Sequence, residues 1–469
     1  MLRLFRHYLS VPAIALLLCD GFAAALMLFI GLRYLSPHAP AIGPGPYGSI
    51  RWSVDICAPV AILCVVMYSM GLYEKSSLID FKKIPSRLIV GIIFCLPLLV
   101  VFAHFNFRAA VSLPALALHY AAWLAAIFAA DLGIRAAYAS IADSMLLQRR
   151  ILVLGHGQLA ARIEEFVRRQ IGPPICIVGF IPVGEGAPAV SPHQILTATE
   201  GLRSIARRLH VHEMVIAVDD RRGFPVQQLL DIRLAGVQII DYQSFWEREA
   251  RKVYLDRLYP GWLVYSDGFQ LSTVINGVLK RLLDVVVSLL FLLFILPIFV
   301  TSMIAIRLDS RGPIFYSQER VGRNGKVFTL YKFRTMTVDA EGDGTPRWAS
   351  QGDQRITRVG SFLRKTRIDE IPQVINVLKG EMSFVGPRPE RPYFVDNLTR
   401  EIPYYTIRHL VRPGITGWAQ VNYPYGSSLE DAKEKLAYEL YYIKNYSFVF
   451  DLLIILMTVQ VVLWNKGAR

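Results

Sequence analysis

Two adjacent carboxylates, Asp369 and Glu370, lie in a stretch of the sequence that is rich in cations. Arg364 and Arg367 precede the pair, and a Gly-Pro-Arg-Pro turn follows it at residues 386–389. Neighbouring carboxylates among cations suit a site that handles a metal ion and phosphate groups. In isolation, an Asp-Glu pair close to a proline is more often the charged start of a helix. The surrounding motifs must therefore decide between a catalytic pair and a helix start.

Three further cations flank the acidic pair. Lys332 and Arg334 lie in an extended run over residues 326–336, where alternate side chains share one face of a strand. We therefore expect them to point together toward a phosphate or a carboxylate, although a solvated strand face is the alternative. Arg388 lies between two prolines, which stiffen its backbone and fix the direction of its guanidinium.

The order of the motifs over residues 280–464 resembles the bacterial sugar transferase family, whose members are monotopic polyprenyl-phosphate phosphoglycosyl transferases. The segments that carry the resemblance read KFRTM at residues 332–336, RKTRIDEIPQVINVLKGEMSFVGPRP at residues 364–389 and RPGITGWAQ at residues 412–420. The resemblance implies transfer of a sugar phosphate from a nucleotide diphosphate sugar to a lipid phosphate. That reaction needs a nucleophile or a positioned acceptor, a metal ion and fixed cations.

The resemblance also implies roles for individual residues. Asp369 matches the family's nucleophile, which forms an aspartyl phosphosugar while nucleoside monophosphate leaves. Glu370 matches the residue that holds Mg²⁺, a hard cation that prefers oxygen ligands. Arg388 matches the phosphate-binding arginine, and Arg412 matches a basic position near the nucleotide. The candidate substrate-binding residues are Lys332, Arg334, Arg364, Arg367, Arg388 and Arg412.

One segment departs from the family pattern. Many family members continue GWAQVN with Gly-Arg-Asn, whereas Tyr-Pro-Tyr-Gly follows here at residues 423–426. The arginine of that pattern is missing, which leaves the chemistry in place and the sugar and nucleotide preference open. Glucose is the first expectation for the sugar and galactose the second, on family frequency alone.

The composition indicates a membrane protein. Of the 469 residues, 53% are hydrophobic and 19% are charged, and the mean hydropathy is +0.37. The formal net charge of +14 suits an anionic membrane surface or phosphorylated substrates. Since the sequence contains no recognisable nucleic-acid module, we expect no nucleic-acid partner. The five cysteines form no C-x-x-C pair, which disfavours a zinc site or a disulfide framework.

Four apolar stretches before residue 140 are long enough to cross a bilayer. They cover residues 11–32, 54–73, 88–105 and 113–132. Most basic residues lie at the N-terminus, after the second stretch and after the fourth, so the positive-inside rule places both ends of this bundle in the cytoplasm. Asp20, within the first stretch, is either a functional group or one that faces a polar partner in the bundle.

A fifth apolar stretch, residues 282–308, has basic residues at both ends and Pro297 inside it. These flanks favour a hairpin that enters the membrane and returns, and the proline provides its bend. A kinked spanning helix is the alternative, and the family resemblance favours the re-entrant form. Asp284 matches the start of that element in the family, where we expect an ion pair with Arg281. The apolar tail over residues 448–464 is expected to lie in the membrane interface or to dock the domain there.

Short apolar runs alternate with helical stretches between residues 146 and 265, which predicts parallel strands joined by crossover helices. The strands are expected at residues 151–154, 175–181, 214–218 and 237–240. Gly155 and Gly157 open a GxGxxA variant of the dinucleotide-binding turn. An acidic residue at the end of the second strand is missing, so a nucleotide-free domain that keeps the turn for packing is the alternative.

We therefore predict a membrane protein with three parts. These are a four-helix transmembrane bundle (residues 1–140), a Rossmann-like α/β domain (residues 146–265) and an α/β catalytic domain (residues 276–469) with a re-entrant helix at about residues 282–308. The resemblance implies an inner-membrane bacterial enzyme with its soluble parts in the cytoplasm. It would transfer hexose 1-phosphate from a UDP-sugar to undecaprenyl phosphate and release UMP, at the first membrane step of exopolysaccharide, capsule or O-antigen synthesis. The oligomeric state stays open, with a homodimer among the alternatives.

Two other functions stay open. A membrane-anchored nucleotide-sugar dehydratase or epimerase requires an intact cofactor site and a Tyr-x-x-x-Lys pair in the middle domain, and the sequence there contains no such pair. A non-catalytic scaffold that binds nucleotide sugars would fit a chain that had lost the acidic pair, but Asp369 and Glu370 are present.

Overall fold

The computed structural model describes residues 2–4, 7–9, 11–35, 52–74, 81–106, 113–142, 148–169, 175–184, 187–196, 200–218, 225–258, 260–269, 274–337, 355–424, 426 and 428–464. The chain divides into two compact units, one over residues 1–2 and 9–250 and one over residues 3–8 and 251–469. Residues 251–265, which the sequence assigns to the middle domain, fall in the second unit. Two short strands, β1 (Leu2–Leu4) and β2 (His7–Leu9), precede the first helix.

Four apolar α-helices begin the first unit. They are α1 (Val11–Leu35), α2 (Ala58–Ser69), α3 (Ile84–Asn106) and α4 (Leu113–Ala142), with a π-helical turn Trp52–Cys57 before α2 and a 3₁₀ turn Phe81–Lys83 before α3. Helices α1, α3 and α4 are long and apolar enough to cross a membrane. Three of the four predicted spans are therefore present as helices of sufficient length.

The second predicted span is shorter than expected. Its apolar helix covers Val54–Ser69, which is about 24 Å long, whereas the hydrocarbon core of a bilayer is about 30 Å thick. The helix ends because Gly71 has a left-handed backbone with φ of 77° and the N–H of Leu72 donates to the carbonyl of Met67. This Schellman ending turns the chain before it reaches Tyr73.

Asp20 faces polar partners inside the bundle, as one of the two alternatives predicts. Its carboxylate accepts a hydrogen bond from the Tyr73 hydroxyl at 2.9 Å and lies 3.5 Å from the guanidinium of Arg135. Arg135 also donates to Asp131 at 2.8 Å and to the carbonyl of Leu72 at 2.9 Å. This buried cluster joins α1 and α4 to the turn that ends α2.

A parallel four-stranded sheet completes the first unit and confirms the predicted α/β sheet. Its strands are β3 (Arg149–Leu154), β4 (Ile175–Ile181), β5 (Glu213–Ile216) and β6 (Gln238–Asp241), in the order β4-β3-β5-β6. The helices of this part are α5 (Gln158–Arg169), α6 (Leu202–Arg208), α7 (Val226–Leu234) and α8 (Tyr242–Glu249), with a 3₁₀ turn at Pro192–Gln194. Buried aliphatic side chains of β3 and β5 pack against α6 and α7.

The second unit combines eight helices with two small sheets among the described residues. The helices are α9 (Pro260–Tyr265), α10 (Val274–Asp309), α11 (Arg358–Lys365), α12 (Val374–Lys379), α13 (Pro392–Glu401), α14 (Trp418–Asn422), α15 (Leu429–Lys444) and α16 (Phe448–Leu463). The sheets are an antiparallel hairpin, β7 (Phe315–Val321) with β8 (Val327–Phe333), and a parallel pair, β9 (Ser383–Val385) with β10 (Gly414–Thr416). Its 3₁₀ turns cover Leu255–Arg257, Arg323–Gly325, Ile368–Gln373 and Tyr405–Leu410.

Helix α10 contains the fifth apolar stretch and continues through Pro297 over 36 residues. Its apolar part, Gly277–Asp309, is long enough to cross a membrane. One stripe of this helix is buried at helical spacing, and its members include Lys280, Asp284, Ser288, Ser302 and Ile306. The remaining surface exposes large apolar side chains such as Leu293 and Phe294, so α10 is packed on one side and apolar on the other.

The start of α10 is bound to the second unit by polar contacts. Asp284 accepts hydrogen bonds from the Ser383 hydroxyl at 2.8 Å and from the N–H of Phe384 at 2.9 Å. The expected ion pair with Arg281 is wrong, because Arg281 donates instead to two carbonyls of α12 at 2.6 Å each. Each group thus satisfies backbone atoms at the ends of neighbouring elements, which sequence spacing alone does not reveal.

Helix α16 is docked to α10 by a buried ion pair. The Lys280 ammonium lies 2.6 Å from the carboxylate of Asp451 and donates to the carbonyl of Val385 at 2.9 Å. The Tyr442 hydroxyl donates to the same carboxylate at 2.7 Å. Helix α16 is therefore part of the second unit and packs beside β9.

Candidate active site

The acidic pair lies in the 3₁₀ turn Ile368–Gln373, which follows helix α11. Arg367, the residue before the turn, has a left-handed backbone with φ of 60°, a conformation that is unfavourable for residues with a Cβ. The change of direction buries both acids, since Asp369 is 7% exposed and Glu370 is 9% exposed. Burial distinguishes this pair from the solvated acids of an ordinary helix start.

Three cations approach the pair. The Lys332 ammonium donates to Glu370 Oε1 at 3.0 Å, and the Arg388 guanidinium donates to the same atom at 2.7 Å. A guanidinium nitrogen of Arg367 lies 4.0 Å from that oxygen. The Lys332 ammonium is also 3.9 Å from Asp369 Oδ2. The structure thus brings together five of the residues that the sequence selects as site candidates.

The hairpin and α12 place Lys332 next to the acids. Lys332 is the penultimate residue of β8 and pairs with Tyr316 of β7. The buried side chain of Asn376 in α12 donates to the carbonyl of Thr329 at 2.7 Å and accepts from the N–H of Tyr331 at 3.2 Å. These bonds fasten the end of the acidic turn to the strand that carries the lysine.

The parallel strands β9 and β10 place Arg388. The N–H of Gly386 donates to the carbonyl of Thr416, and the N–H of Gly414 donates to the carbonyl of Pro387, both at 2.9 Å. A Cβ on Gly386 would lie 2.3 Å from the carbonyl oxygen of Arg412. Glycine is therefore required at position 386, where the segment after β9 approaches the segment before β10. The stiff Pro-Arg-Pro segment begins directly after this glycine.

A buried ion pair supports the backbone of Arg388 from behind. Arg408 forms a two-point contact with Glu439, at 2.9 Å and 2.8 Å. One nitrogen of Arg408 also donates to the carbonyl of Arg388 at 2.8 Å. Burial alone would lower the pKa of Arg408, but the charges of Glu439 and other neighbours raise it, whereas burial raises the pKa of Glu439 against the lowering effect of Arg408.

The two acids have opposite pKa shifts. Burial raises the pKa of Asp369 above its ordinary value of 3.8, Glu370 adds to the rise, and Lys332 opposes it. Burial also acts to raise the pKa of Glu370, but the charges of Arg388 and Lys332 outweigh it and hold that pKa well below 4.5. The two cations thus favour the ionised form of Glu370, and Asp369 is the more basic carboxylate of the pair.

The remaining basic candidates have different surroundings. Arg364 donates to the Thr335 hydroxyl at 2.8 Å, and its charge acts to lower the pKa of Asp369. Arg334 follows the last residue of β8 and donates to the carbonyl and hydroxyl of Ser310 at 2.8 Å each. Arg334 therefore binds Ser310, whereas Lys332 binds the acidic pair, and a role for Arg334 in phosphate binding stays a prediction.

Arg412 lies two residues before β10, with its backbone beside Gly386. It is half-buried. Its role as a nucleotide-binding residue stays a prediction.

The glycine turn of the first unit has a packing explanation. Gly155 has φ of 124°, and a Cβ there would lie 2.2 Å from the carbonyl oxygen of Ala217. Gly157 has open space around its Cβ position. Close contact between β3 and the chain after β5 thus accounts for the first glycine without a ligand, and nucleotide binding at this turn stays a prediction.

A cavity of about 530 Å³ lies beside the acidic pair. Glu370, Arg367 and Arg388 contribute charged groups to its wall. Helices α10 and α16 contribute apolar side chains to the lining, among them Val287, Phe291, Ile295, Ile455, Val459 and Val462. One space therefore offers anion-binding groups and an apolar surface between two apolar helices.

Sequence reasoning missed the supporting residues of this site. Arg408 and Glu439 are 31 positions apart, and Lys280 and Asp451 are 171 positions apart. No local motif connects either pair. Their residue types gave one signal, since a charged residue within an otherwise apolar stretch requires a partner.

The comparisons with known proteins agree with this geometry. Residues 275–465 match the family model described as bacterial sugar transferase. One relative is the UDP-N-acetylgalactosamine-undecaprenyl-phosphate N-acetylgalactosaminephosphotransferase of Aeromonas hydrophila. The two sequences are 40% identical over 251 residues, and this aligned region covers 54% of this chain and 58% of that protein. The chain is 43% identical over 196 residues to the UDP-glucose:undecaprenyl-phosphate glucose-1-phosphate transferase of Escherichia coli (strain K12), with 41% and 42% covered.

The chain thus spans about half of the length of these two relatives. A relative in Caulobacter vibrioides, the UDP-glucose:undecaprenyl-phosphate glucose-1-phosphate transferase, is 39% identical over 208 residues, which are 44% of this chain and 78% of that protein. The buried acidic pair, its cations and these matches lead to one conclusion: the chain belongs to the bacterial sugar transferase family.

Proposed function

We propose that this protein transfers hexose 1-phosphate from a UDP-sugar to undecaprenyl phosphate and releases UMP, at the first membrane step of bacterial polysaccharide synthesis. The observation that carries the proposal is the cavity beside the acidic pair. It joins charged groups suited to a diphosphate with an apolar wall suited to a lipid acceptor. The soluble donor and the lipid acceptor must meet at one phosphorus atom, so the site needs both charged groups and an apolar surface.

Asp369 is the proposed nucleophile. Its carboxylate attacks the sugar-bearing phosphorus of the donor, a phosphorus–oxygen bond forms, and the bond to the oxygen of UMP breaks. A phosphate oxygen of the lipid then attacks the same phosphorus and releases the Asp369 carboxylate. Lys332 and Arg388 are placed to offset the negative charge on the phosphoryl oxygens, which lowers the barrier to both steps.

The acidic pair also fits the expected Mg²⁺. This ion is usually held by one or two carboxylates together with substrate phosphates and water. Asp369 and Glu370 are adjacent hard oxygen donors, and the described residues contain no cluster of three or more acidic, histidine or cysteine groups that could hold a metal ion. Glu370 is the candidate ligand, and a bound Mg²⁺ would neutralise charge on the donor's diphosphate.

Helix α10 is proposed to enter the membrane and return to the cytoplasmic side. Its start binds β9 through Asp284, and at its end Asp309 accepts a hydrogen bond from the N–H of Val359 at 3.2 Å. Both ends therefore contact the same compact unit, which favours the same side of the membrane for each. Its exposed apolar face then contacts lipid, with the catalytic unit at the inner-membrane surface.

The sugar stays open among hexoses. The relative in Aeromonas hydrophila is named for N-acetylgalactosamine, and those in Escherichia coli and Caulobacter vibrioides are named for glucose. Glucose remains our first proposal, and N-acetylgalactosamine and galactose are the alternatives for direct comparison.

The test is UMP release by the purified full chain with Mg²⁺, undecaprenyl phosphate and each UDP-sugar. Asp369→Asn should lower turnover by roughly a thousandfold or more, because the nucleophile is lost. Asp396→Asn is the matched control, since Asp396 is an exposed acid on α13 and should change turnover less than about twofold. Without lipid, the wild type should release about one UMP per active site and carry a phosphosugar on Asp369.

Two results would refute the proposal. Near-normal turnover by a folded Asp369→Asn variant would exclude Asp369 as the nucleophile. Binding of a UDP-sugar by the wild type without UMP release from any donor would instead indicate a nucleotide-sugar-binding scaffold.

A further inference from the structure

The cavity beside the acidic pair has a second side that the lipid and phosphate chemistry leaves unexplained. This polar wall, as we name it, consists of Arg408, Tyr423, Gly426, Lys435 and Glu439, all of which line the cavity. Its members lie on α15, in the 3₁₀ turn Tyr405–Leu410 and at positions 423 and 426. Apolar side chains of α10 and α16 also line the cavity.

Successive contacts connect the polar wall to the acidic pair. Glu370 accepts from Arg388 at 2.7 Å, and the Arg388 carbonyl accepts from Arg408 at 2.8 Å. Arg408 then binds Glu439, which lies one helical turn after Lys435 on α15. The wall and the acidic pair thus share Arg388 as a common neighbour and line one cavity.

Tyr423, Gly426 and Ser428 each contact helix α15. The Tyr423 hydroxyl donates to Asp431 at 2.9 Å, and the Lys435 ammonium donates to the carbonyl of Gly426 at 2.5 Å. Ser428 and Asp431 form a capping box at the start of α15. A Cβ on Gly426 would lie 2.2 Å from the Asp431 carboxylate. These contacts position Tyr423 and Gly426 relative to Lys435, and such preorganisation favours selective binding.

The chemistry of the polar wall suits a ligand rich in hydroxyl groups. Lys435, which is half-buried, supplies an ammonium, Tyr423 supplies a hydroxyl and a ring, and Glu390 adds a carboxylate to the lining. Gln420, which also lines the cavity, has a buried Oε1 with no hydrogen-bond partner among the described residues. Such an unsatisfied acceptor is unfavourable unless a ligand donates to it.

We propose that the polar wall binds the sugar ring of the donor and determines which hexose is accepted, with Lys435 and Tyr423 as its selective residues. This inference rests on the proposed function. The sugar is bonded to the phosphorus that Asp369 attacks, so it is the hydroxyl-bearing group nearest to the acidic pair. The ribose of the leaving UMP has the same hydroxyl chemistry and is the second source that the experiment must separate.

The experiment measures kcat/KM of the full chain for UDP-glucose, UDP-galactose, UDP-N-acetylglucosamine and UDP-N-acetylgalactosamine, together with inhibition by UMP. The variants are Tyr423→Phe, Lys435→Met and Lys435→Arg. The matched controls are Tyr393→Phe, an exposed tyrosine on α13, and Lys433→Met, a lysine on α15 that pairs with Glu430. Because Lys435→Arg keeps the charge, it remains informative where Lys435→Met fails to fold.

We expect the ratio of kcat/KM between the two best donors to change by about tenfold in Tyr423→Phe and in Lys435→Met, the effect of losing one hydrogen bond to a sugar group. Inhibition by UMP should stay within about twofold of the wild type. Both control variants should keep the wild-type ratio.

Equal losses for all four donors with unchanged ratios would overturn the inference. Weaker inhibition by UMP with unchanged donor ratios would also overturn it and would assign the wall to the nucleoside. If the wild type releases UMP from none of the donors, the proposed function fails first. That failure is seen with the wild type alone, whereas a failure of the inference about the polar wall is seen only when the variants are compared.

Discussion

Asp369 and Glu370 are neighbours in the chain, yet the same cations affect them differently. Glu370 is in direct contact with Lys332 and Arg388, whereas Lys332 lies 3.9 Å from the Asp369 carboxylate. The lowered pKa of Glu370 means that this group stabilises the fold above its ordinary pKa of 4.5. That contribution is lost only as the pH falls through the lower value in the folded protein.

The raised pKa of Asp369 predicts how activity depends on pH. A nucleophilic carboxylate must be ionised, so kcat/KM should fall on the acid side as Asp369 takes up a proton, at a pH above 3.8. Lys332→Met removes a cation that favours the ionised form, so the acid limb should move to higher pH. The profile of kcat/KM against pH measures this shift, with Lys433→Met as the control. A limb that stays in place or moves to lower pH would contradict the assignment.

The Arg408–Glu439 pair should act on catalysis through the position of Arg388. A double variant, Arg408→Met with Glu439→Leu, replaces a buried ion pair by apolar groups and should leave stability nearly unchanged. The carbonyl of Arg388 would nevertheless lose its donor. We expect kcat/KM to fall by roughly tenfold to a hundredfold, at a similar thermal midpoint. Full activity would show that the pair is structural only.

The single variant Arg408→Met provides the comparison for that experiment. It leaves Glu439 buried without its cation, which should destabilise the protein by about 3–5 kcal/mol. Thermal or denaturant unfolding of the two variants therefore separates loss of fold from loss of position.

The residues of the site differ in how far the sequence predicts them. Asp369, Glu370, Lys332 and Arg388 stand in short motifs with recognisable chemistry, and the structure brings them together. Arg334 has the same alternation as Lys332, but it follows the end of β8 and binds Ser310. Strand alternation predicts a shared face only as far as the regular strand continues, and the sequence does not mark that end.

At the scale of elements, apolar length predicts helices well and their ends poorly. Helices α1, α3 and α4 and the four strands of the parallel sheet occur where the patterns place them. The second span is cut short by the left-handed Gly71, in a stretch whose apolar composition continues to Tyr73. A single backbone conformation can thus override composition, because an α-helix cannot continue through a residue with positive φ.

The disposition of α10 leads to a prediction about the sides of the membrane. In a variant without the native cysteines, Asp267→Cys and Arg311→Cys place one thiol before the helix and one after it. If α10 is re-entrant, a membrane-impermeant maleimide should label both thiols in inside-out membrane vesicles and neither thiol in intact cells. Arg108→Cys, in a loop that the positive-inside rule places outside, serves as the control with the opposite pattern. Labelling of the two test positions from opposite sides would show a spanning helix.

For the whole molecule, the net charge of +14 and the apolar helices both favour a membrane protein whose basic parts lie at an anionic membrane surface. Basic residues favour the anionic cytoplasmic surface of a membrane, and the proposed UDP-sugar donor is also an anion. The sequence predicts this general setting from composition alone. It does not predict the polar wall, which depends on contacts between α15 and the segment at residues 423–428.

Under the proposed function, the apolar side chains that α10 and α16 contribute to the cavity also bear on how the concentration of the lipid acceptor should be expressed. An acceptor that reaches the site from between these helices arrives by diffusion in two dimensions. Its effective concentration is its mole fraction among the surrounding lipids, not its amount per volume of water. Adding inert lipid at a constant amount of acceptor would then slow the second half-reaction, while the first would still follow the aqueous concentration of donor.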